Sequence, residues 1–338
     1  MKIRNILATT ILISSFITGC QNEDIITPGP YSVNPSYHNA DYAVQWLDLL
    51  YKIIAQEGRF NPPQGSRVYA YSCITVYESV WYGIPFHRSL SGQLNGMPVM
   101  PRPDIAGKVY DWPSVLTGSM SVVIRGILES PYNTTAQRIT NLYNSQAEDR
   151  RKVVPDDVVT RSIEYGEALG SAILNWASQD RYHSTRGLGY TPPPRSINPA
   201  NWEPINPGDT AVEPYWGTLR TYVLPSAHFC RIPPDLPFDT AVGSPFYNDE
   251  NEVRIIRNNI TQEQRDIAIF WRDKQLTGTP AGHWVSIMNQ MVSHLSLNLE
   301  RAAKMYALGG ITIGDAFISA WEAKYKYNLL RPQSYIRD

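Results

Sequence analysis

Residues 66–82, Ser-Arg-Val-Tyr-Ala-Tyr-Ser-Cys-Ile-Thr-Val-Tyr-Glu-Ser-Val-Trp-Tyr, form a helical pattern that is apolar on nearly every side. A helix without a polar stripe has no face to give to water, so other elements must surround it. Gly83 and Pro85 end it. The rest of the chain supplies suitable neighbours. From about Asn39, residues Ala43, Trp46, Leu47, Leu50, Ile53 and Ile54 share one stripe that Gly58 closes. Pro113 can open a helix running to about Ser130, and Asn133 or Thr134 can cap the next. Between Asp156 and Ser178, Val159, Ile163, Ile173, Leu174 and Ala177 keep helical spacing. Gly166 and Gly170, four apart, read as a close helix crossing rather than a ligand loop. Strand signals are few and no internal repeat is present, so the class is all-α.

Residues 180–258 change character. Tyr190 to Phe238 is crowded with prolines and holds Trp202, Trp216 and Tyr222 without sustained periodicity, which predicts an ordered excursion packed by its own aromatics. Helical pattern returns where Thr261 and Gln264 form a capping box ahead of Ile267, Phe270 and Trp271. A long helix is predicted from about Gly282 to Leu308, broken by Gly309-Gly310. Thr312 and Asp315 then make a second capping box for a helix carrying Lys324.

The chain has 338 residues with 30 basic and 31 acidic side chains, so no global charge draws it to nucleic acid or an anionic membrane. Residues 1–20 read as a targeting segment: Lys2 and Arg4, an apolar run from Ile6 to Phe16, then Ile17-Thr18-Gly19-Cys20, which resembles a lipoprotein cleavage box. Cys20 would then be the acylated N-terminus, anchoring an exported lipoprotein at the outer membrane or periplasmic face of a Gram-negative cell. An ordinary secretory signal with an incidental cysteine is the plainer alternative. Residues 21–36 form a tether and 37–338 a single domain. Cys73, inside the apolar helix, is read as a free buried thiol.

The chemistry concentrates at the carboxyl end. On one helix, Lys324 and Arg331 would differ by only about 20° in rotation and roughly 10 Å along the axis, so two cationic arms could converge on one anion. Arginine's planar fork holds two oxygens at once, while lysine acts as a movable point charge. Pro332 ends the helix by biasing Arg331 out of the α region. A solvated helix face would also explain two such cations. Trp321, Tyr325, Tyr327, Leu329 and Leu330 make the segment too apolar for that, and point at least one cation into a shielded site.

Trp321-x-x-Lys324, six residues and then Arg331-Pro332 resemble the first signature of the vanadium-dependent haloperoxidases and type 2 phosphatidic acid phosphatases. Asp315-Ala316 and Arg337-Asp338 resemble the chloroperoxidase branch. Pro62-Pro63 with Arg67-Val68-Tyr69-Ala70-Tyr71, Phe270-Trp271-Arg272-Asp273 and Gly282-His283-Trp284 resemble exported bacterial members. The resemblance is dense over 261–338 and thin over 180–258. It implies a helical bundle whose anion site is built from three signatures. The first supplies Lys324 and Arg331 for phosphate or vanadate, with Trp321 lining the site. A Ser-Gly-His signature supplies a histidine acid, and a later one another arginine and the histidine that attacks phosphorus or ligates vanadium.

Both later signatures belong after Pro332, where six residues follow. The expectation is therefore an N-terminal portion of a longer product, with its catalytic histidines beyond residue 338 and little activity alone. Pro280-Ala281-Gly282-His283 resembles the second signature superficially but precedes Lys324, so His283 is read as structural, and His294 as a core or boundary residue. His38, His87, His183 and His228 have no metal-ligand spacing, and no metal is expected. Apolar faces within 282–330 would lack partners, which predicts poor solubility or a homo-oligomer.

The leading functional expectation is an exported acid-phosphatase-like phosphomonoesterase acting on a small phosphorylated substrate. The close alternative is a haloperoxidase with vanadate as cofactor and halide and peroxide as substrates, because the two oxyanions share charge and shape. A third reading, a non-catalytic surface lipoprotein binding glycans or a partner, rests on 9 Trp and 21 Tyr, Trp202 and Trp216 among them.

Overall fold

The computed structural model describes residues 32–206, 208–273 and 276–337. The signal segment, Cys20 and the tether as far as residue 31 lie outside the described residues. Within them the fold is all-helical, with only two isolated bridges, Asn39 to Asn298 and Asn201 to Leu329. The elements are α1 (Asp41–Glu57), α2 (Pro62–Glu78), α3 (Trp112–Ile127), α4 (Asn133–Arg151), α5 (Asp156–Ala177), the single turn α6 (Tyr182–Thr185), α7 (Pro245–Asn259), α8 (Gln262–Trp271), α9 (Thr279–His294), α10 (Leu299–Tyr327) and α11 (Pro332–Arg337). None of the described helices is long and apolar enough to cross a membrane.

The apolar helix is central, as its composition requires. It starts at Pro62 instead of Ser66, because Asn61 and Gln64 form a capping box ahead of the apolar run. From Gly65 to Glu78 every residue is buried. α10 lies along it so closely that a Cβ on Gly310 would stand 2.5 Å from the Cys73 Cβ. α3 and α5 cross on the predicted glycines: a Cβ on Gly170 would stand 2.8 Å from the Ser119 carbonyl, and one on Gly166 would collide with the Val115 carbonyl. Cys73 is a free buried thiol whose pKa burial pushes up to about 12.

Several boundaries differ from the sequence reading. The predicted Gly282–Leu308 helix breaks instead at Leu295–Asn298, where Ser296 takes a left-handed φ of 48° and the Asn298 side chain accepts the Arg301 N–H at 3.0 Å. α10 then passes straight through Gly309-Gly310, whose missing side chains admit Met288 and α2. Asp315 is therefore mid-helix and not a cap. Asn133 begins α4, but no side chain caps it. The excursion is irregular only to Ser244, since α7 occupies 245–259. None of the residues of that helix is buried.

Two buried acid sites hold the excursion. Asp180 accepts Arg67 Nε at 2.6 Å, the Tyr71 hydroxyl at 3.0 Å and the Tyr182 N–H at 2.9 Å, while Arg220 donates its N–H to the Asp180 carbonyl at 3.1 Å. Asp315, 4% exposed, accepts the N–H groups of Tyr222, Val223 and Leu224 at 2.6, 2.9 and 3.0 Å. One carboxylate thus fastens three consecutive residues of the excursion to α10.

Apolar surface remains at one side of the molecule. No residue of α7 or α8 is buried, and Phe270, Trp271, Trp284, Met291, Leu295 and Leu308 are exposed. The opposite flanks of α9 and α10 are in the core.

Removing the Asp315 carboxylate leaves three N–H groups without an acceptor, at roughly 1–3 kcal/mol for each that stays buried. Asp315→Ala is expected to accelerate amide hydrogen exchange at 222–224 by at least about 30-fold through local opening; unchanged exchange there would refute the anchoring role. Glu78 generates a second expectation. It is 1% exposed, pairs with no cation among the described residues, and accepts the Leu90 N–H at 2.6 Å and the Ser89 hydroxyl at 2.9 Å. Burial pushes its pKa up to about 7 from 4.5. The folded state therefore holds this proton more tightly than the unfolded chain does. The resulting stability is complete below about pH 4.5 and lost as pH rises through about 7, on the order of 3 kcal/mol. Denaturant titrations at pH 5 and pH 8 should show Glu78→Gln gaining on the parent protein at the higher pH.

Candidate functional site

α10 ends because Asn328 adopts a left-handed conformation, φ 48° and ψ 44°, and turns its N–H back to the Lys324 carbonyl at 2.9 Å. Asparagine is one of the few non-glycine residues that accept this region readily. The chain then pairs with the excursion at one isolated bridge, Asn201 to Leu329: Trp202 donates its N–H to the Asn328 carbonyl at 2.7 Å, and Leu330 donates to the Ala200 carbonyl at 2.7 Å. Pro332 opens α11. Arg331 therefore stands in the link between two helices and not one helical face beyond Lys324, as the seven-residue spacing suggested.

Lys324 and Arg331 nevertheless line one cavity, although both residues are exposed and neither is in the shielded setting the sequence suggested. The cavity measures about 470 Å³ and is walled on the excursion side by Trp202, Val212 and residues 232–235. The Lys324 ammonium lies 5.2 Å from the Trp321 ring centroid and the Arg331 guanidinium 5.9 Å from that of Trp202. Among the described residues neither cation has an ion-pair partner. Packing against this wall, and then the like charge of Arg331, lower the Lys324 pKa although the side chain keeps solvent contact. Asp235, an exposed carboxylate, also borders the cavity.

Trp321 is placed differently from expectation. It is absent from the cavity lining: its indole N–H donates to the Val212 carbonyl at 2.9 Å, the same oxygen that the Tyr325 hydroxyl reaches at 2.7 Å. Its ring stacks on Phe317, with centroids 5.5 Å apart, and carries the Lys324 ammonium. Trp321 thus positions the lysine and ties down the excursion at once.

Two wall residues were not identified from sequence. The Asn328 Nδ2 and Trp202 Nε1 groups are buried without hydrogen-bond partners, and both residues line the cavity. Asn328 lies inside the Lys324-to-Arg331 spacing, but a left-handed helix end is not readable from one asparagine. Trp202 was grouped with Trp216 as surface aromatics. Trp216 is in fact 1% exposed and packs edge-on against Tyr182 at 6.0 Å, so it presents no glycan platform.

No histidine lines this cavity. His283 sits at the start of α9, its Nδ1 2.9 Å from the Asp273 carboxylate and its ring stacked 4.7 Å from Trp271, in keeping with a structural role. His294 is exposed. No cluster of three or more His, Cys, Asp or Glu suited to a metal ion occurs among the described residues. A second cavity of about 510 Å³ adjoins the first, sharing Ile232 and Ala323, with Cys230 at its wall and small residues of α10 as its floor.

No protein-family model matches the chain. It is similar to a vanadium chloroperoxidase from Curvularia inaequalis, 25% identical over an alignment of 217 residues that covers 54% of this chain and 35% of that protein. The chain thus spans about a third of that relative's length. The crystal structure of a bacterial vanadium-dependent iodoperoxidase superposes with a TM-score of 0.78 at 27% identity, over 89% of this chain and 72% of that one.

Proposed function

We propose that this chain, which belongs to the vanadium haloperoxidase and type 2 phosphatidic acid phosphatase superfamily, holds a tetrahedral oxyanion between Lys324 and Arg331. The observation that carries the reading is two cations lining one cavity with no carboxylate in an ion pair with either among the described residues. Like charges held together without a counterion are unfavourable until an anion joins them. Arg331 offers two parallel N–H donors to a pair of oxygens and Lys324 a third contact. The donor set fits phosphate or vanadate.

Two activities use such a site. Vanadate-dependent oxidation of halide by peroxide is favoured by the two relatives, both of which are vanadium peroxidases by name. When bound, vanadate supplies an electrophilic centre at which peroxide is activated. Hydrolysis of a phosphate monoester is the second reading, favoured by an adjoining groove that can take the ester's organic portion. In either case Lys324 and Arg331 neutralise the oxyanion, while Trp321 holds the lysine in place. Acid–base and covalent roles fall to no described histidine, since none lines the cavity. An exported lipoprotein anchored through Cys20 is the proposed setting.

Calorimetric titration of the chain with inorganic phosphate or orthovanadate tests the site. A charge-assisted hydrogen bond is worth about 1.5–3 kcal/mol, so Lys324→Ala and Arg331→Ala should each weaken binding by about 10- to 100-fold. Equal affinity in both variants and the parent would refute it. Halide oxidation and p-nitrophenyl phosphate hydrolysis, assayed side by side on the intact protein, separate the two activities.

A further inference from the structure

Part of the excursion wall of the oxyanion cavity is tied to the rest of the fold only at its ends. Residues 232–238 make no hydrogen bond among the described residues, and Ile232 to Asp235, which line the cavity, are all exposed. Pro233, Pro234 and Pro237 fix their own φ and offer no N–H, so the stretch is stiff along its length. At one end, Arg231 Nη1 meets the Glu322 carboxylate of α10 at 2.6 Å, two residues before Lys324. At the other, the Phe238 ring packs against Phe246 of α7 and Tyr335 of α11, with centroids 5.3 and 5.9 Å away, and the Tyr335 hydroxyl donates to the Asp239 carbonyl at 3.0 Å. Tyr335 in turn donates its N–H to the Arg331 carbonyl at 3.1 Å. The stretch therefore spans from the helix that carries one cation to the helix that follows the other.

The two ends differ in strength. The α11 end combines ring packing with a hydrogen bond, whereas the α10 end rests on one ion pair whose side chains keep 27% and 20% of their surface exposed. A pair this open to water is worth about 1 kcal/mol or less. The second Glu322 oxygen, Oε2, is shielded and has no partner among the described residues, which reduces further what the closed pair gains. Few buried contacts and no backbone bonds mark segments that open locally before the rest of a fold. We propose that residues 231–239 are a strap that gates the oxyanion cavity: it swings on Phe238 and Asp239, and release of Arg231 from Glu322 opens the way to Lys324 and Arg331. Ile232 lies in both cavities, so the same movement joins the cationic cavity to its neighbour. The inference rests on the oxyanion reading for what passes the gate and adds how it enters.

Cys230, exposed and adjacent to Arg231, reports on the strap without any ligand. In a Cys20→Ser chain it is the one reactive thiol, since Cys73 is buried. A nitroxide label there should show a mobile spectral component that grows about fivefold in Glu322→Gln and in Arg231→Gln, the fold-change of an ion pair worth about 1 kcal/mol. The exchanged pair, Arg231→Glu with Glu322→Arg, should return it to the parent level. In the same variants, phosphorus-31 line shapes of inorganic phosphate should show entry and exit both about fivefold faster, with Kd within about twofold of the parent. Equal label mobility in every chain overturns the latch, and a freer strap with unchanged phosphate rates overturns the gate. A weaker Kd through faster exit alone would make Arg231 a ligand contact and overturns it too. If the parent binds no phosphate, the oxyanion reading falls and this inference falls with it, whatever the label shows. Matching thermal unfolding curves for the parent and variants exclude a general loss of fold as the cause.

Discussion

A single carboxylate, that of Asp315, fastens three consecutive residues of the excursion to the helix that carries Lys324. It lies mid-helix in α10, in contact with three backbone N–H groups of the excursion, and the segment it fixes continues into the wall opposite Lys324. An irregular stretch of this length cannot satisfy its backbone through regular pairing, so it depends on side-chain acceptors placed by the helices. Asp180 does the same one layer deeper, with Arg67 as its buried counter-ion. The excursion is thus ordered by charge supplied from the bundle, and only then does it shape a site.

That dependence explains what the sequence disclosed and what it hid. The buried stripe of α1, the all-round apolar face of α2 and the glycine crossing of α3 with α5 were legible because each follows from burial with a fixed period. Gly309-Gly310 misled because glycine signals either a break or a close approach, and only the neighbouring Cys73 and Met288 decide between them. α7 was missed, whereas α8, which likewise buries no residue, was found through its capping box. The cationic pair lines one cavity, but not by the helical spacing from which the sequence reading brought it together. Arg331 reaches Lys324 across a turn, not along a helix, and Trp321 supports the lysine from behind the cavity wall.

Electrostatically the site is unfinished by design of its own residues. Burial and then the positive charge of Arg331 lower the affinity of Lys324 for its proton, and both cations lie against aromatic faces: Trp321 under the lysine and Trp202 under the arginine. Cation–π contact steadies such groups without neutralising them, leaving their charge available to a ligand. A carboxylate in the same position would have satisfied the cations and closed the site to anions.

The left-handed turn at Asn328 also acts as a ruler. Between the last helical residue, Tyr327, and the guanidinium-bearing residue there are only three link positions, each held in register with Ala200–Trp202 by backbone pairing. Adding or deleting one residue in this link would break that pairing or move Arg331 away from Lys324. Length here is as binding as chemistry, and natural variation in this segment should therefore proceed by exchange of side chains and not by insertion.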